Sequence, residues 1–151
     1  DIINAAVKTG KIINVKKGQF MAPWDANNIV EKVADGNGEK LLLTERGSSF
    51  GYNSLVSDMT SIPIMQGFGV PVIFDATHSV QRPGGLGKTT GGVREFIPTL
   101  AKCAVAAGCN GIFMEVHDNP DNAKSDAASQ WPLNKLDTVL NSLKDIKEVI
   151  N

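Results

Sequence analysis

The chain has 151 residues and a formal net charge of −1, with 42% hydrophobic and 21% charged residues. This length predicts one folded domain over residues 1–151, and this composition excludes a disordered chain. The near-neutral charge argues against nucleic acid as a main partner, because nucleic-acid-binding proteins carry an excess of Lys and Arg. No apolar run approaches the roughly 18 residues of a membrane span, so no membrane association is expected.

Two cysteines, Cys103 and Cys109, lie in a stretch rich in Ala and Val and are expected in a helix core. They are too few for a disulfide framework, and a cytoplasmic, reducing environment fits best. The chain opens at Asp1 without an initiator Met, which is expected of a piece of a longer protein.

Four short apolar runs predict strands that are buried on both faces of a parallel sheet. They lie at residues 12–15, 41–44, 72–75 and 111–115. Their recurrence about every 30–40 residues is the spacing of βα units.

Apolar stripes at helical spacing separate the predicted strands. The first covers residues 2–7 and stops at Gly10, and the second covers residues 29–33. Leu55, Val56 and Met59 predict a third helix that Pro63 limits. Residues 96–105 predict a fourth, which leads to Gly108. The fifth follows Pro132, and its apolar face comprises Leu133, Leu136, Leu140 and Leu143.

The predicted order is one helix followed by four strand–helix units, without a linker or a domain boundary. A self-contained doubly wound sheet of four strands and half of a (β/α)8 barrel both have this order. The long polar loops after the strands favour the barrel, because its active-site loops lie there.

Three polar side chains follow the last two predicted strands. They are His78, Glu115 and Asp126, and an imidazole with two carboxylates suits divalent Zn, Fe or Mn. A single His or Glu at a strand end is more often structural. The three together predict a metal site or an acid–base site.

Cations follow the first two predicted strands. Lys16 and Lys17 could hold an anion, although a solvated turn has the same pattern. Arg46 leaves a buried strand and needs a partner. A phosphate or carboxylate ligand would supply one, and so would an internal pair with Glu45 or Asp75.

The third predicted strand precedes a loop with five glycines between residues 84 and 92. Gly87, Lys88 and Thr89 suggest a P-loop, but the required glycine spacing is missing and no helix follows at once. The loop is interpreted instead as a lid over the site.

Several longer motifs occur in a fixed order along the chain. They are Asn-Val-Lys-Lys-Gly-Gln-Phe at residues 14–20, Thr-Glu-Arg-Gly at 44–47, Asp-Ala-Thr-His-Ser-Val-Gln at 75–81, Phe-Met-Glu-Val-His at 113–117, Ala-Lys-Ser-Asp-Ala at 123–127 and Gln-Trp-Pro-Leu at 130–133. Through these motifs the whole chain resembles the C-terminal half of the 3-deoxy-D-manno-octulosonate-8-phosphate synthase family. That family is a (β/α)8 TIM barrel, usually a homotetramer, so the resemblance implies that this chain carries strands five to eight.

The resemblance implies an enzyme that condenses phosphoenolpyruvate with D-arabinose 5-phosphate and releases phosphate, in the synthesis of the lipopolysaccharide inner core. Lys16 and Arg46 would bind phosphoenolpyruvate, and Gln81 would close with the glycine loop over the sugar phosphate. His78, Glu115 and Asp126 would hold the metal, and His78, Lys16 and Asp126 would serve in catalysis. A fourth ligand, a cysteine, and a Lys-Ala-Asn-Arg-Ser-Ser segment belong to the family's N-terminal half.

The family has metal-dependent and metal-independent forms. Here a serine, Ser125, precedes Asp126 and Ala127 follows it, which is similar to the metal-dependent form. The related 3-deoxy-D-arabino-heptulosonate-7-phosphate synthases share Glu-Arg-Gly but usually continue with Ile-Arg-Thr-Phe, where this chain has Ser48 and Ser49. They remain the alternative, together with a non-catalytic half-barrel whose open sheet edges associate.

Overall fold

A mixed α/β fold is built around a parallel sheet in the computed structural model, which describes residues 2–84 and 91–150. The strands are β1 (Ile13–Lys16), β2 (Leu41–Glu45), β3 (Ser48–Ser49), β4 (Leu55–Val56), β5 (Val72–Asp75), β6 (Gln81–Arg82), β7 (Gly91–Gly92), β8 (Gly111–Phe113), β9 (Val116–His117) and β10 (Trp131–Pro132). The α-helices are α1 (Ile2–Val7), α2 (Asn27–Asp35), α3 (Ser61–Gln66), α4 (Ile97–Ala106) and α5 (Leu136–Ile150).

The four strands predicted from apolar runs are confirmed and form one sheet in the order β1-β2-β5-β8. All three pairings are parallel, with Ile13 opposite Leu41, Leu43 opposite Val72 and Ile73 opposite Gly111. Three of the predicted strands had bounds that were wrong by one or two residues. β1 includes Lys16 and excludes Ile12, β2 extends to Glu45, and β8 ends two residues before Glu115.

The sheet has one covered face and one open face. Side chains alternate along each strand, and Leu41, Leu43, Val72 and Phe74 belong to the buried core that the helices cover. Helix α3 packs against β2 and β5, and α4 packs against β5 and β8. The alternate apolar side chains, Leu42, Ile73 and Phe113, are only partly buried.

The smaller pairs lie beyond the ends of the main strands. β3 pairs with β4 and β6 with β7, both antiparallel, whereas β9 and β10 pair in parallel. One strand of each pair begins three to six residues after a main strand, so these pairs shape the loops at the carboxyl edge of the sheet. None of the helices in residues 2–84 and 91–150 is long and apolar enough to cross a membrane.

The third predicted helix was wrong. Leu55 and Val56 form β4, paired with β3, and the helix begins only at Ser61. Pro63 does not limit this helix but lies in its first turn, where the proline lacks an N–H that would have had no intrahelical acceptor.

Two details of the predicted core also changed. Helix α5 buries Val139 and Leu143, whereas Leu133 and Leu140 of the predicted apolar face are 51% and 42% exposed. Cys109 is buried as expected, but Cys103 lies on an exposed position of α4.

Candidate active site

His78, Glu115 and Asp126 come together at the carboxyl edge of the sheet. One ligand atom of each lies within 4.8 Å of the others, and the Nε2 atom of His78 is 3.5 Å from Oε1 of Glu115. His78 follows β5, Glu115 follows β8, and all three residues are partly buried. The carboxyl ends of adjacent parallel strands thus place His78 and Glu115 side by side, and the loop after β9 brings Asp126 to them.

Each member of this cluster is held by a hydrogen bond to a buried polar side chain. Oδ2 of Asp75 lies 2.7 Å from Nδ1 of His78. The Gln130 amide donates to Oε2 of Glu115 at 2.9 Å, and the Gln81 amide donates to Oδ1 of Asp126 at 2.7 Å. Partners of this kind fix the orientation of metal-binding side chains.

Asp126 is positioned by an unusual backbone conformation. Its φ of +49° lies in the left-handed region, which Asp tolerates better than most residues. Its carbonyl accepts hydrogen bonds from the N–H groups of Ser129 at 2.8 Å and Gln130 at 3.1 Å. A strained backbone that surrounding contacts hold in place is common at functional sites.

Asp75 lies beneath the cluster and is fully buried at the end of β5. Burial by itself raises the pKa of this carboxyl, but hydrogen bonds from the side chain and backbone of His78 and from Lys16 outweigh it. The pKa of Asp75 therefore falls to about 2. Asp75 is an anion at neutral pH and faces two basic groups.

The two predicted lysines have different environments. Lys16 donates to Oδ2 of Asp75 at 2.6 Å, its Nζ lies 4.0 Å from the ring centroid of Phe113, and its side chain is 37% exposed. Lys17 is 1% exposed, and its Nζ lies 3.6 Å from Oε2 of Glu45. Lys17 is an internal structural cation, and Lys16 faces the site.

Arg46 extends from the end of β2 into the same region. Nη2 of Arg46 donates to Oε1 of Gln81 at 2.8 Å, while Nη1 is buried without a hydrogen-bond partner among the described residues. Burial lowers the pKa of Arg46, although Asp75, Glu45 and Asp126 oppose that shift. The guanidinium stays charged and has an unused donor, so it can accept an anionic ligand.

The chain turns tightly directly after Arg46. Gly47 has a φ of +87°, which favours glycine, and its N–H donates to Oε1 of Glu45 at 2.6 Å. The internal pairs considered for Arg46, with Glu45 or Asp75, do not form as direct salt bridges within residues 2–84 and 91–150.

Gln81 bridges the two halves of the site, since it accepts from Arg46 and donates to Asp126. Sequence reasoning gave no sign of this bridge or of the role of Gln130. The other histidine, His117, contacts its chain neighbours, and its Nδ1 atom accepts a hydrogen bond from the Asn119 N–H at 2.9 Å. The predicted lid falls largely on residues 85–90, outside the described part, and β6 and β7 flank it.

The donor set fits a divalent metal. A His nitrogen and two carboxylate oxygens are ligand types that Zn, Fe and Mn accept, and each side chain is oriented by a hydrogen bond to a neighbouring residue. Three protein ligands leave coordination positions for other ligands. Lys16 and Arg46 lie around this cluster, connected to it through Asp75 and Gln81. The arrangement can bind an anionic substrate next to a metal.

Comparisons with known proteins show which sequences this chain is similar to. Residues 1–151 match the model of the DAHP synthetase I family. A protein of Nitratidesulfovibrio vulgaris named 2-dehydro-3-deoxyphosphooctonate aldolase is 58% identical over 143 residues, which cover 95% of this chain and 52% of that protein. Proteins with the same name from Protochlamydia amoebophila and Trichlorobacter lovleyi are 56% and 55% identical over 150 residues, covering 99% of this chain and 54% and 55% of their own lengths.

The chain spans about half the length of the curated relatives it matches. Their name is that of the octulosonate synthase that the sequence motifs resemble, so that resemblance is confirmed. The match to the family model covers every residue of the chain, and we conclude that this protein belongs to the DAHP synthetase I family.

Proposed function

We propose that this protein is a 3-deoxy-8-phosphooctulonate synthase, which condenses phosphoenolpyruvate with D-arabinose 5-phosphate and water. The observation that carries the proposal is the buried Nη1 of Arg46, which has no hydrogen-bond partner in the described part of the chain and lies near a His–Glu–Asp cluster, in a chain whose relatives are named 2-dehydro-3-deoxyphosphooctonate aldolase. The products would be 3-deoxy-D-manno-octulosonate 8-phosphate, for the lipopolysaccharide inner core, and phosphate. Both cysteines are free thiols, which fits a reducing cytoplasm.

We infer that the four-stranded sheet is the C-terminal half of a (β/α)8 barrel. Among residues 2–84 and 91–150, the buried apolar core lies on one face of the sheet, and the opposite face carries partly buried apolar residues and the polar groups of the site. A doubly wound sheet would cover both faces with helices. The outer edges of β1 and β8 would pair with the remaining strands of the barrel. The complete enzyme would be a homotetramer.

His78, Glu115 and Asp126 would hold a divalent Zn, Fe or Mn ion, through Nε2 of the imidazole and one oxygen of each carboxylate. When bound, the metal would supply positive charge that polarises the sugar aldehyde or acidifies a water molecule. Gln81 and Gln130 keep both carboxylates aimed into the cluster by donating to them.

Lys16 and Arg46 would bind phosphoenolpyruvate, whose phosphate and carboxylate carry up to three negative charges near neutral pH. Arg46 offers a planar fork, and Lys16 offers a mobile point charge. Carbon 3 of phosphoenolpyruvate would attack the aldehyde carbon, and water would add to carbon 2. The resulting hemiketal phosphate would then expel phosphate by cleavage of the C–O bond.

Groups at the carboxyl edge of the sheet would also provide acid–base catalysis. Lys16, whose Nζ lies 3.4 Å from Nδ1 of His78, would move protons at the aldehyde oxygen or the attacking water, and His78 and Asp126 would contribute to catalysis through the metal that they would hold. Gln81 would hold Arg46 and Asp126 in fixed positions relative to each other.

The test is an assay of the intact protein with phosphoenolpyruvate and either arabinose 5-phosphate or erythrose 4-phosphate, with and without a chelator. We expect phosphate release with arabinose 5-phosphate, and its loss on chelation. Turnover only with erythrose 4-phosphate would assign the heptulosonate reaction of the family's name instead. The absence of turnover with either sugar would favour the non-catalytic half-barrel.

A further inference from the structure

We propose that Asp75 is a positioning residue that sets the tautomer of His78 and anchors Lys16 with the same carboxylate oxygen. It would thereby connect the metal-binding cluster to the cation that faces the substrate. This inference rests on the proposed function, because it assigns His78 to a metal and Lys16 to phosphoenolpyruvate.

Both carboxylate oxygens of Asp75 accept hydrogen bonds from surrounding groups. Its Oδ2 atom faces Lys16 Nζ at 2.6 Å and His78 Nδ1 at 2.7 Å. Its Oδ1 atom accepts from the Thr77 hydroxyl at 3.1 Å and from the His78 N–H at 2.9 Å. These four contacts use all the acceptor sites of a carboxylate.

The contacts determine which imidazole nitrogen carries the proton. A carboxylate can only accept, so Nδ1 of His78 must donate to Asp75, and Nε2 keeps its lone pair when the ring is neutral. Nε2 is also the atom that faces Glu115, at 3.5 Å. Asp75 therefore presents the free lone pair of His78 to the cluster.

Asp75 is also connected to Glu115, another proposed metal ligand, through Thr77. The Thr77 hydroxyl donates to Asp75 and accepts from the N–H of Glu115 at 3.2 Å. Lys16 has a long, mobile side chain, and its bond to Asp75 keeps Nζ near the cluster. A single buried carboxylate thus organises His78, Glu115 and Lys16.

The decisive variant is Asp75→Asn in the intact protein. The oxygen of the new amide should take the Oδ1 position, where two groups donate to it. Its NH2 group would then face Nδ1 of His78 and donate, which moves the ring proton to Nε2. A comparable Asp-to-Asn change in the serine-protease triad produces the wrong tautomer while leaving the geometry intact.

The experiment measures the His78 tautomer by nitrogen-15 NMR in the metal-free protein and measures the affinity for Co²⁺ alone. The His78 signal is assigned by its loss in His78→Gln. We expect a proton on Nδ1 in the wild type and on Nε2 in Asp75→Asn, with Co²⁺ binding weaker by about 10–100-fold. Asp118→Asn, which removes the exposed carboxylate in contact with the other histidine, His117, should leave the His78 tautomer and the Co²⁺ affinity unchanged.

A wild-type ring with its proton on Nε2 would overturn the proposal, even if the variant fails to fold. So would an Asp75→Asn protein that keeps both the wild-type tautomer and the wild-type Co²⁺ affinity. A tautomer switch in a protein that does not bind Co²⁺ would support the role of Asp75 and reject the metal in the proposed function.

Discussion

At the residue scale, Arg46 has the unmet bonding capacity that an anionic substrate would use. Its Nη1 atom is buried and unpaired within the described residues, and its Nη2 atom is held by Gln81. Loss of hydrogen bonds to a charged group costs about 1.5–3 kcal/mol. We therefore expect Arg46→Ala to raise the KM for phosphoenolpyruvate by about tenfold or more, with a much smaller change for arabinose 5-phosphate.

Steady-state kinetics with each substrate varied in turn measures this effect. Lys102→Ala, which removes an exposed cation on α4, serves as the control and should change neither KM. An equal rise in both constants for Arg46→Ala would assign Arg46 to a general structural role.

The two histidines of the chain form a matched pair for the metal assignment. His78 belongs to the cluster, whereas His117 contacts its neighbours Asp118 and Asn119. We expect His78→Gln to lose bound metal and His117→Gln to retain it, as measured by elemental analysis of the purified intact protein. Full metal content in His78→Gln would remove that residue from the ligand set.

Residue types and strand ends predicted that His78, Glu115 and Asp126 would lie together, because parallel strands bring their carboxyl ends to one edge, and their ligand atoms do lie within 4.8 Å of one another. The burial of Lys17 and the bridge through Gln81 were not predictable. Lys17 meets Ser48 31 positions along the chain, and Gln81 meets Asp126 45 positions away. Contacts over such separations depend on the folded loops and leave no local pattern.

At the element scale, the buried pair of Lys17 and Glu45 ties the end of β1 to the end of β2. Lys17 also donates to the carbonyl of Met21 and the hydroxyl of Ser48, both at 3.1 Å. Removing one member of a buried pair leaves an uncompensated charge and typically costs about 3–5 kcal/mol. We expect Lys17→Met to lower the free energy of unfolding by about that amount in a urea titration.

The double variant Lys17→Met/Glu45→Gln provides the control. The Gln that replaces Glu45 is neutral, so no unpaired charge stays in the interior, and its side-chain oxygen can still accept the Gly47 N–H. The double variant should therefore be more stable than Lys17→Met alone. A double variant as destabilised as the sum of the two single variants would show that the charges are not coupled.

The elements themselves were predictable where one apolar pattern determined them. The runs behind β2 and β5 are continuous and buried, and they were located to within one residue. The segment with Leu55 and Val56 was not, because its pairing with β3 overrides a short helical pattern. The exposed Leu133 and Leu140 show similarly that a stripe of leucines does not reveal which side the core occupies.

At the scale of the whole molecule, the sheet ends in two strands, β1 and β8, that each pair on one side within the described residues. Unpaired edges promote association with other strands, particularly next to exposed apolar side chains. Ile12 is 68% exposed directly before β1. These features favour pairing of the sheet with further strands, as in the proposed barrel.

The 151-residue chain on its own should therefore self-associate as its concentration rises, which sedimentation velocity can measure. A charge next to the β1 edge should oppose this association, so we expect Ile12→Lys to shift the chain toward monomer. Ile2→Lys makes the same change on α1, at a residue that is 87% exposed, and should have little effect. Equal effects of the two substitutions would mean that overall charge, and not the open edge, controls association.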